Sequence, residues 1–129
     1  WKAYQIRPVH ALQVVYSDQV DYSYKTTDRF ELHQLYQQRK QAQDIIICKN
    51  GWITDSYYAN LAFYENGHWY TPDQPLLAGT KRQSLIDQKS VQAIPIRLEN
   101  LRRFEKIALI NAMIDLEDQV WIDQSAVYF

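Results

Sequence analysis

The sequence predicts an α+β domain whose strands are mostly antiparallel and whose helices are short. Two Asn-Gly pairs, Asn50-Gly51 and Asn66-Gly67, each separate two short apolar or aromatic runs. Such a pair suits the type I′ turn of a β-hairpin, because both central residues of that turn need a positive φ. We therefore expect two consecutive hairpins that form one antiparallel sheet of at least four strands.

The other elements are indicated by the type and spacing of the apolar residues. β-Branched and aromatic residues at 9–16 predict a strand that begins at about His10. Asp28 can cap a helix whose apolar residues recur near helical spacing to about Gln41. The remaining candidates are strands at 44–49, 52–54, 61–64, 68–70, 91–98, 106–113 and 120–122, and short helices at 80–88 and 99–104.

Composition places the chain among globular single domains. Its 129 residues are 47% hydrophobic and 22% charged, and the net charge is −1. This balance argues against a dedicated nucleic-acid binder, which would carry a basic surface. No apolar run approaches the ~20 residues that cross a membrane, and we expect a cytoplasmic protein. Cys48 is the single cysteine and is expected to be a buried core residue.

Several familiar chemical motifs are missing from the sequence. With three glycines the chain forms neither a phosphate-binding loop of the Gly-Lys-Ser/Thr type nor a dinucleotide-binding fingerprint. One cysteine and three scattered histidines offer no zinc-ligand spacing, so we expect no metal site.

Lys25 is the first residue that suits covalent chemistry. It follows Tyr22 and Tyr24 and comes just before the predicted helix. A lysine amine that is desolvated there would have a lowered pKa and could form a Schiff base with an aldehyde cofactor. By itself the segment fits an exposed surface lysine better, because most lysines are solvated.

Two later segments could hold the other parts of a cofactor. Asp55 ends a predicted strand and Asn60 begins the next, so a buried acid there could face a cationic ring nitrogen. Gly79 and Thr80 precede a predicted helix, whose first N–H groups and dipole favour a phosphate. The ordinary alternatives are an Asp that satisfies turn backbone and a capped helix without a ligand.

In this order the three segments resemble the fold-type IV pyridoxal-phosphate (PLP) enzymes, namely the class IV aminotransferases and aminodeoxychorismate lyase. The resemblance covers roughly residues 4 to 114. It rests on an ordered series of motifs: Lys25 with Arg29; Gly51, Asp55 and Asn60; Thr71-Pro72; Leu77, Gly79 and Arg82 in a Leu-x-Gly-x-x-Arg pattern; and Ile110-Asn111-Ala112.

The resemblance implies PLP as the cofactor and a role for each matching residue. Lys25 would carry the Schiff base and move the proton at the substrate Cα, and Asp55 would face the pyridine nitrogen. Asp55 stands where the family usually has Glu, which is one methylene longer. The further cofactor-binding residues would be Asn60, Gly79, Thr80, Lys81 and Asn111, and the substrate-pocket residues would be Arg29, Tyr24 and Tyr57.

The resemblance also implies an architecture. The fold would be that of the larger domain of D-amino acid aminotransferase-like enzymes, an antiparallel sheet or pseudo-barrel with short helices. Residues 1–129 would form this single PLP-binding domain. We expect the chain to lack the smaller preceding domain, which in the family supplies an arginine to the phosphate, and to be catalytically incomplete alone. The family generally forms homodimers.

Three functions from different classes follow. The leading one is a PLP-dependent lyase or aminotransferase with a small amino substrate. Arg29 after Lys25 favours a lyase that releases pyruvate and 4-aminobenzoate over a branched-chain or D-amino acid aminotransferase. The second is a non-catalytic relative that binds a phosphate-bearing ligand. The third is an interaction domain, suggested by the aromatic content of 14%, although sheet packing also explains these residues.

Overall fold

The computed structural model describes residues 9–16, 32–57, 59–111, 116 and 120–129. These residues form nine strands, one α-helix and three 3-10 helices, besides a helical segment at 32–36. The strands are β1 (Leu12–Tyr16), β2 (Asp44–Lys49), β3 (Trp52–Ile53), β4 (Asn60–Glu65), β5 (His68–Pro72), β6 (Gln92–Ile94), β7 (Lys106–Ile110), β8 (Trp121–Asp123) and β9 (Val127–Tyr128). The α-helix is α1 (Thr80–Asp87), and the 3-10 helices are Gln37–Arg39, Leu98–Arg103 and Gln124–Ala126.

The strands belong to two open sheets, which confirms the α+β class. The first sheet has the order β3-β2-β1-β9, and the second has the order β6-β5-β4-β7-β8. The β1–β2, β1–β9 and β5–β6 pairs are parallel, whereas β2–β3, β4–β5, β4–β7 and β7–β8 are antiparallel. Within the described ranges no sheet closes into a barrel.

Both predicted hairpin turns are confirmed. Asn50 and Gly51 have φ values of 54° and 83°, and Asn66 and Gly67 have φ values of 52° and 82°. The prediction that the two hairpins share one sheet is wrong, because they lie in different sheets. β4 is apolar and buried along Leu61–Phe63, and it pairs with the equally apolar β7. That partner lies far along the chain, so local patterning could not reveal it.

Several element bounds differ from the predicted ones. The helical segment at 32–36 continues as a 3-10 turn and ends at Lys40, whose φ is 57°. Asp28, its predicted cap, lies outside the described residues. β6 is shorter than expected because the chain beyond it turns to pair Arg97 with Trp52. β9 was not predicted; its two residues pair with the start of β1.

The largest buried cluster lies between the two sheets. It combines Val14 and Ile46 of the first sheet with Leu61, Phe63 and Ile107 of the second. The outer face of the second sheet packs against α1 through Leu85. Cys48 is buried in this core, as expected. In the described part of the chain, no helix combines the length and apolar character needed to cross a membrane.

Candidate cofactor site

Asp55 is held by the first sheet and reaches toward the loop that precedes α1. Its backbone carbonyl accepts a hydrogen bond from the N–H of Ile47 in β2 at 2.9 Å. Its Oδ2 accepts from the N–H of Leu77 at 3.1 Å. The residue is only 3% exposed. The end of β3 therefore places a carboxyl group in the interior, against the loop at 76–79.

The carboxyl group of Asp55 is electrostatically unusual. Burial raises its pKa from 3.8 to about 7, although the backbone N–H of Leu77, then the Thr54 hydroxyl and the Leu76 N–H, and last the charge of Arg82 partly oppose this effect. Its Oδ1 is buried and has no hydrogen-bond partner among the described residues. The neighbouring hydroxyl of Thr54 donates its proton to the carbonyl oxygen of Ile47 at 3.0 Å. A buried acceptor without a donor costs free energy, and such an atom is expected where a cationic donor binds.

Asn60, at the start of β4, holds the same loop from the second sheet. Its Nδ2 donates to the carbonyl oxygen of Leu77 at 2.8 Å, and its Oδ1 accepts from the N–H of Gly79 at 3.2 Å. The contact is so close that a Cβ atom at Gly79 would lie 2.6 Å from this Oδ1. Asp55 and Asn60, five residues apart, thus bind one loop from two different sheets.

The loop leads directly into the N-terminus of α1. Gly79 is the N-cap residue with extended backbone, and its carbonyl accepts the first intrahelical hydrogen bond, from Gln83. Thr80 and Lys81 begin the helix, where the N–H groups point out of the helix end and the dipole favours an anion. The N-terminal end of α1 is therefore attached to Asp55 through Leu77.

Arg82 is a buried cation in the first turn of the helix, and it was given no role in the sequence prediction. It is 6% exposed, and its Nη2 donates to the carbonyl oxygen of Pro72 at 3.1 Å. Burial lowers its pKa, and the charges of Asp55 and Asp73 oppose this shift. The available signal was its position three residues before Leu85, because that spacing places both on the buried face of the helix.

The family of the chain is shown by comparison with known proteins. Residues 1–116 match the family model described as amino-transferase class IV. The chain belongs to the class IV aminotransferase family.

Two relatives of this family are similar in sequence as well. A candidate 4-amino-4-deoxychorismate lyase from Haemophilus somnus 129pt has a solved structure that superposes with a TM-score of 0.81 at 41% identity, over 87% of this chain and 58% of that chain. A Schizosaccharomyces pombe protein named as a candidate aminodeoxychorismate lyase is 32% identical over 81 residues, which are 58% of this chain and 35% of that protein.

A more distant structure shows the shared fold. An aminotransferase from Brucella abortus, bound to the cofactor PLP, superposes with a TM-score of 0.72 at 13% identity. The match covers 88% of this chain and 46% of that one. The chain thus spans between about a third and three fifths of the length of these three proteins.

The structure brings together most of the described residues that the class IV motifs predict. Asp55, Asn60 and Gly79 are joined by hydrogen bonds through one loop, and Thr80 and Lys81 follow it directly. Asn111 comes immediately after β7, beside Asn60, because Asn60 pairs with Ile110 in the β4–β7 ladder. Lys25, Tyr24 and Arg29 lie outside the described residues, so their predicted roles stay predictions.

Tyr57 has packing partners of its own. Its ring stacks on that of Tyr36 with centroids 4.3 Å apart, and its hydroxyl lies 3.5 Å from Nδ1 of His33. Its backbone N–H donates to Oδ1 of Asp44 at 3.0 Å. These contacts attach Tyr57 to the helical segment before β2, and its predicted contact with substrate stays a prediction.

A cleft that the sequence did not predict adjoins the acid. It has a volume of about 250 Å³ and is lined by Lys49, Trp52 and Gln74 among others. Thr54 and Leu76 also line it, and they are the chain neighbours of Asp55 and Leu77. The cleft therefore borders the loop contact on which the site depends.

Proposed function

We propose that the protein is a PLP-dependent enzyme that acts on an amino substrate, with lyase chemistry on an aminodeoxychorismate-like compound favoured over transamination. The observation that carries the proposal is the buried Oδ1 of Asp55, which has no partner among the described residues and is linked through Leu77 to the start of a helix. PLP carries a ring nitrogen and a phosphate group at different ends of one molecule. The site offers a buried acid and an anion-binding helix end, joined by one loop.

Asp55 would hold the ring nitrogen of the cofactor. A donor on the ring would give Oδ1 of Asp55 the hydrogen bond that it lacks, and a positive charge on the ring would favour the ionised acid. When bound, PLP withdraws electron density from the substrate Cα, and it does so best with its ring nitrogen protonated. The role of Asp55 is therefore to keep a positive charge at the ring, although its side chain is shorter than Glu.

The helix start would hold the phosphate. The N–H groups of Thr80 and Lys81 and the dipole of α1 favour a dianion at this end, and the Thr80 hydroxyl adds a donor. The N–H of Gly79 donates to Asn60, so Gly79 would shape the loop at this end, and its predicted contact with the cofactor stays a prediction. Asn111, beside Asn60 at the same end of the second sheet, would lie close to the phosphate or the substrate.

The remaining roles are proposed from the family. Lys25 would attach the cofactor and then move the proton at the substrate Cα, and Arg29, Tyr24 and Tyr57 would line the substrate pocket. The lyase preference is supported by the names of the Haemophilus somnus and Schizosaccharomyces pombe relatives, both candidate aminodeoxychorismate lyases. We further propose a homodimeric, cytoplasmic protein, with the rest of the pocket supplied by parts outside this chain.

Visible absorption tests the cofactor directly. Purified full-length protein should show a band near ~410 nm that survives dialysis and disappears in Lys25→Ala, because the attaching amine is gone. Lys106→Ala is the matched lysine control, since that amine lies over the rings of Tyr64 and Trp121 in the second sheet. Absence of any band after addition of PLP would overturn the proposal and favour a non-catalytic relative.

Product analysis separates the two reactions. The holoenzyme is incubated with aminodeoxychorismate, and pyruvate and 4-aminobenzoate are measured; in parallel, amino acids are supplied with a keto-acid acceptor. Pyruvate and 4-aminobenzoate in equal amounts would support the lyase. A new amino acid formed from the keto acid, without pyruvate release from aminodeoxychorismate, would replace the lyase by a transaminase.

A further inference from the structure

The side-chain amide of Asn60 is occupied by backbone on both of its polar atoms. Nδ2 donates to the carbonyl oxygen of Leu77 at 2.8 Å, and Oδ1 accepts from the N–H of Gly79 at 3.2 Å. Asn60 is buried, and its backbone is fixed in the β4–β7 ladder opposite Ile110. Each polar atom therefore binds the backbone of one loop, which fixes the shape of that loop, and one N–H and one lone pair of the amide remain.

Leu77 is hydrogen-bonded to both Asp55 and Asn60. Its N–H donates to Oδ2 of Asp55, and its carbonyl oxygen accepts from Asn60. Its side chain is 61% exposed, so the residue is held by its backbone and not by burial of its side chain. A movement of Leu77 away from Asn60 would therefore also disturb the hydrogen bond that orients the acid.

We propose that Asn60 is a positioning residue that couples the acid end of the cofactor site to its phosphate end through Leu77 and Gly79. The inference rests on the proposed function, and it departs from the prediction that Asn60 contacts the cofactor itself. Asp55 is attached to the first sheet through Ile47, whereas Asn60 belongs to the second sheet. The loop at 77–79 therefore sets the distance between acid and helix start by binding both sheets.

Amide hydrogen exchange in the cofactor-free, full-length protein tests the linkage without any activity. In Asn60→Ala the N–H groups of Leu77 and Gly79 should both exchange at least ~10-fold faster, because the loop loses both of its amide contacts. The matched control is Gln43→Ala, since the Gln43 amide oxygen accepts from the N–H groups of His10 and Ala11 at 2.7 and 3.0 Å, just before β2 and β1. This control should leave Leu77 and Gly79 unchanged.

A second variant separates the two contacts and serves if Asn60→Ala does not fold. Asn60→Asp keeps an oxygen acceptor for the N–H of Gly79 but loses the donor to Leu77. In Asn60→Asp the N–H of Gly79 should therefore stay protected from exchange, while the N–H of Leu77 should exchange faster than in the wild type. Equal protection of both amides in this variant and in the wild type would overturn the assignment of Nδ2 to the Leu77 carbonyl.

Affinity measurements test the coupling between the two ends. PLP would engage both ends, whereas pyridoxal lacks the phosphate, so its proposed contacts with Asp55 and Lys25 do not include the helix start. Asn60→Ala should weaken both compounds by at least ~10-fold, because Asp55 loses its orientation together with the helix start. Weakened PLP binding with unchanged pyridoxal binding would overturn the coupling and make Asn60 a phosphate-end residue only.

The outcomes distinguish this inference from the proposed function. A wild-type protein that binds neither PLP nor pyridoxal would contradict the proposed function, while the exchange data would still decide whether Asn60 holds Leu77 and Gly79. Conversely, wild-type PLP binding together with unaltered exchange in both Asn60 variants would support the function and overturn the positioning role.

Discussion

The side chain of Asn60 occupies the space that a Cβ atom at Gly79 would need. An ideal Cβ there would lie 2.6 Å from Asn60 Oδ1, and the atoms near it belong to this one side chain. The φ of Gly79 is −70°, so the backbone conformation itself is open to any residue. Glycine is required at this position by a close approach and not by a left-handed backbone.

This contact predicts a specific rescue. Gly79→Ala should lower the free energy of unfolding by about 1–3 kcal/mol, because the methyl group forces Asn60 or the loop to move. In the Asn60→Ala background the same substitution should add little further loss, since the obstructing oxygen is gone. Urea unfolding of the four proteins in the cycle measures this coupling. Strictly additive losses would contradict the close contact.

Asp55 predicts how stability without cofactor depends on pH. Its pKa is about 7 in the folded state and 3.8 in the unfolded chain, so the folded state binds the proton more tightly. The stability that this proton contributes is complete below pH 3.8 and is lost as the pH rises through about 7. Asp55→Asn removes that slope, and at pH 8 the variant should be more stable than wild type by up to about 4 kcal/mol.

Unfolding midpoints between pH 4 and 8, in the absence of PLP, check this prediction. The exposed Asp87→Asn, on the far end of α1, is a suitable control because its carboxylate bonds Gln83 at the surface. A pH profile of Asp55→Asn parallel to that of wild type would show that the acid is already ionised and stabilised in the free protein.

The charge of Arg82 should shift the pH range over which the protein loses the stability contributed by protonated Asp55. The charge of Arg82 lowers the pKa of Asp55 and so partly offsets the rise that burial causes. In Arg82→Gln the stability loss with rising pH should therefore extend to higher pH, whereas Arg82→Lys should keep it nearer the wild-type range. Arg103→Gln, which removes a surface pair with Glu65, is the matched control. An unmoved window in Arg82→Gln would contradict the electrostatic link.

Phe104 packs in the core that joins the two sheets, so its removal should lower the free energy of unfolding. It is fully buried, and its ring lies 5.2 Å from that of Phe63 and 6.3 Å from that of Tyr70. Phe104→Ala should lower the free energy of unfolding by about 3–5 kcal/mol, because it removes apolar contacts and leaves a cavity. Phe129→Ala, at an exposed ring, should cost far less in the same denaturant titration. Comparable losses would contradict the described packing.

Local chemistry made much of the fold predictable. The two Asn-Gly turns, the buried strand around Ile46 and the short helix after Gly79 all follow from neighbouring residues and have the predicted form. Positive φ at an Asn-Gly pair and a helix N-terminus after glycine are decided within a few residues. The resemblance to the class IV motifs, in which Asp55 and Asn60 stand five residues apart, implied that both belong to one site.

Tertiary packing decided what those elements do together. Whether the hairpins share a sheet depends on β7, which lies far along the chain and pairs with β4 through apolar residues that any strand could have used. The pKa of Asp55 is likewise a property of its surroundings, because the burial that raises it and the Leu77 hydrogen bond and Arg82 charge that oppose this rise come from other segments.

The sequence by itself determined the residue types of the site, the turns and the class of fold. Only the tertiary structure showed that Asn60 binds a loop and that Arg82 is buried. It also showed that Oδ1 of Asp55 is buried without a hydrogen-bond partner in the described part of the chain. The physical reason is the distance along the chain over which each interaction acts. Turn and helix preferences act over a few bonds, whereas desolvation, charge and hydrogen bonding depend on which distant segments meet in space.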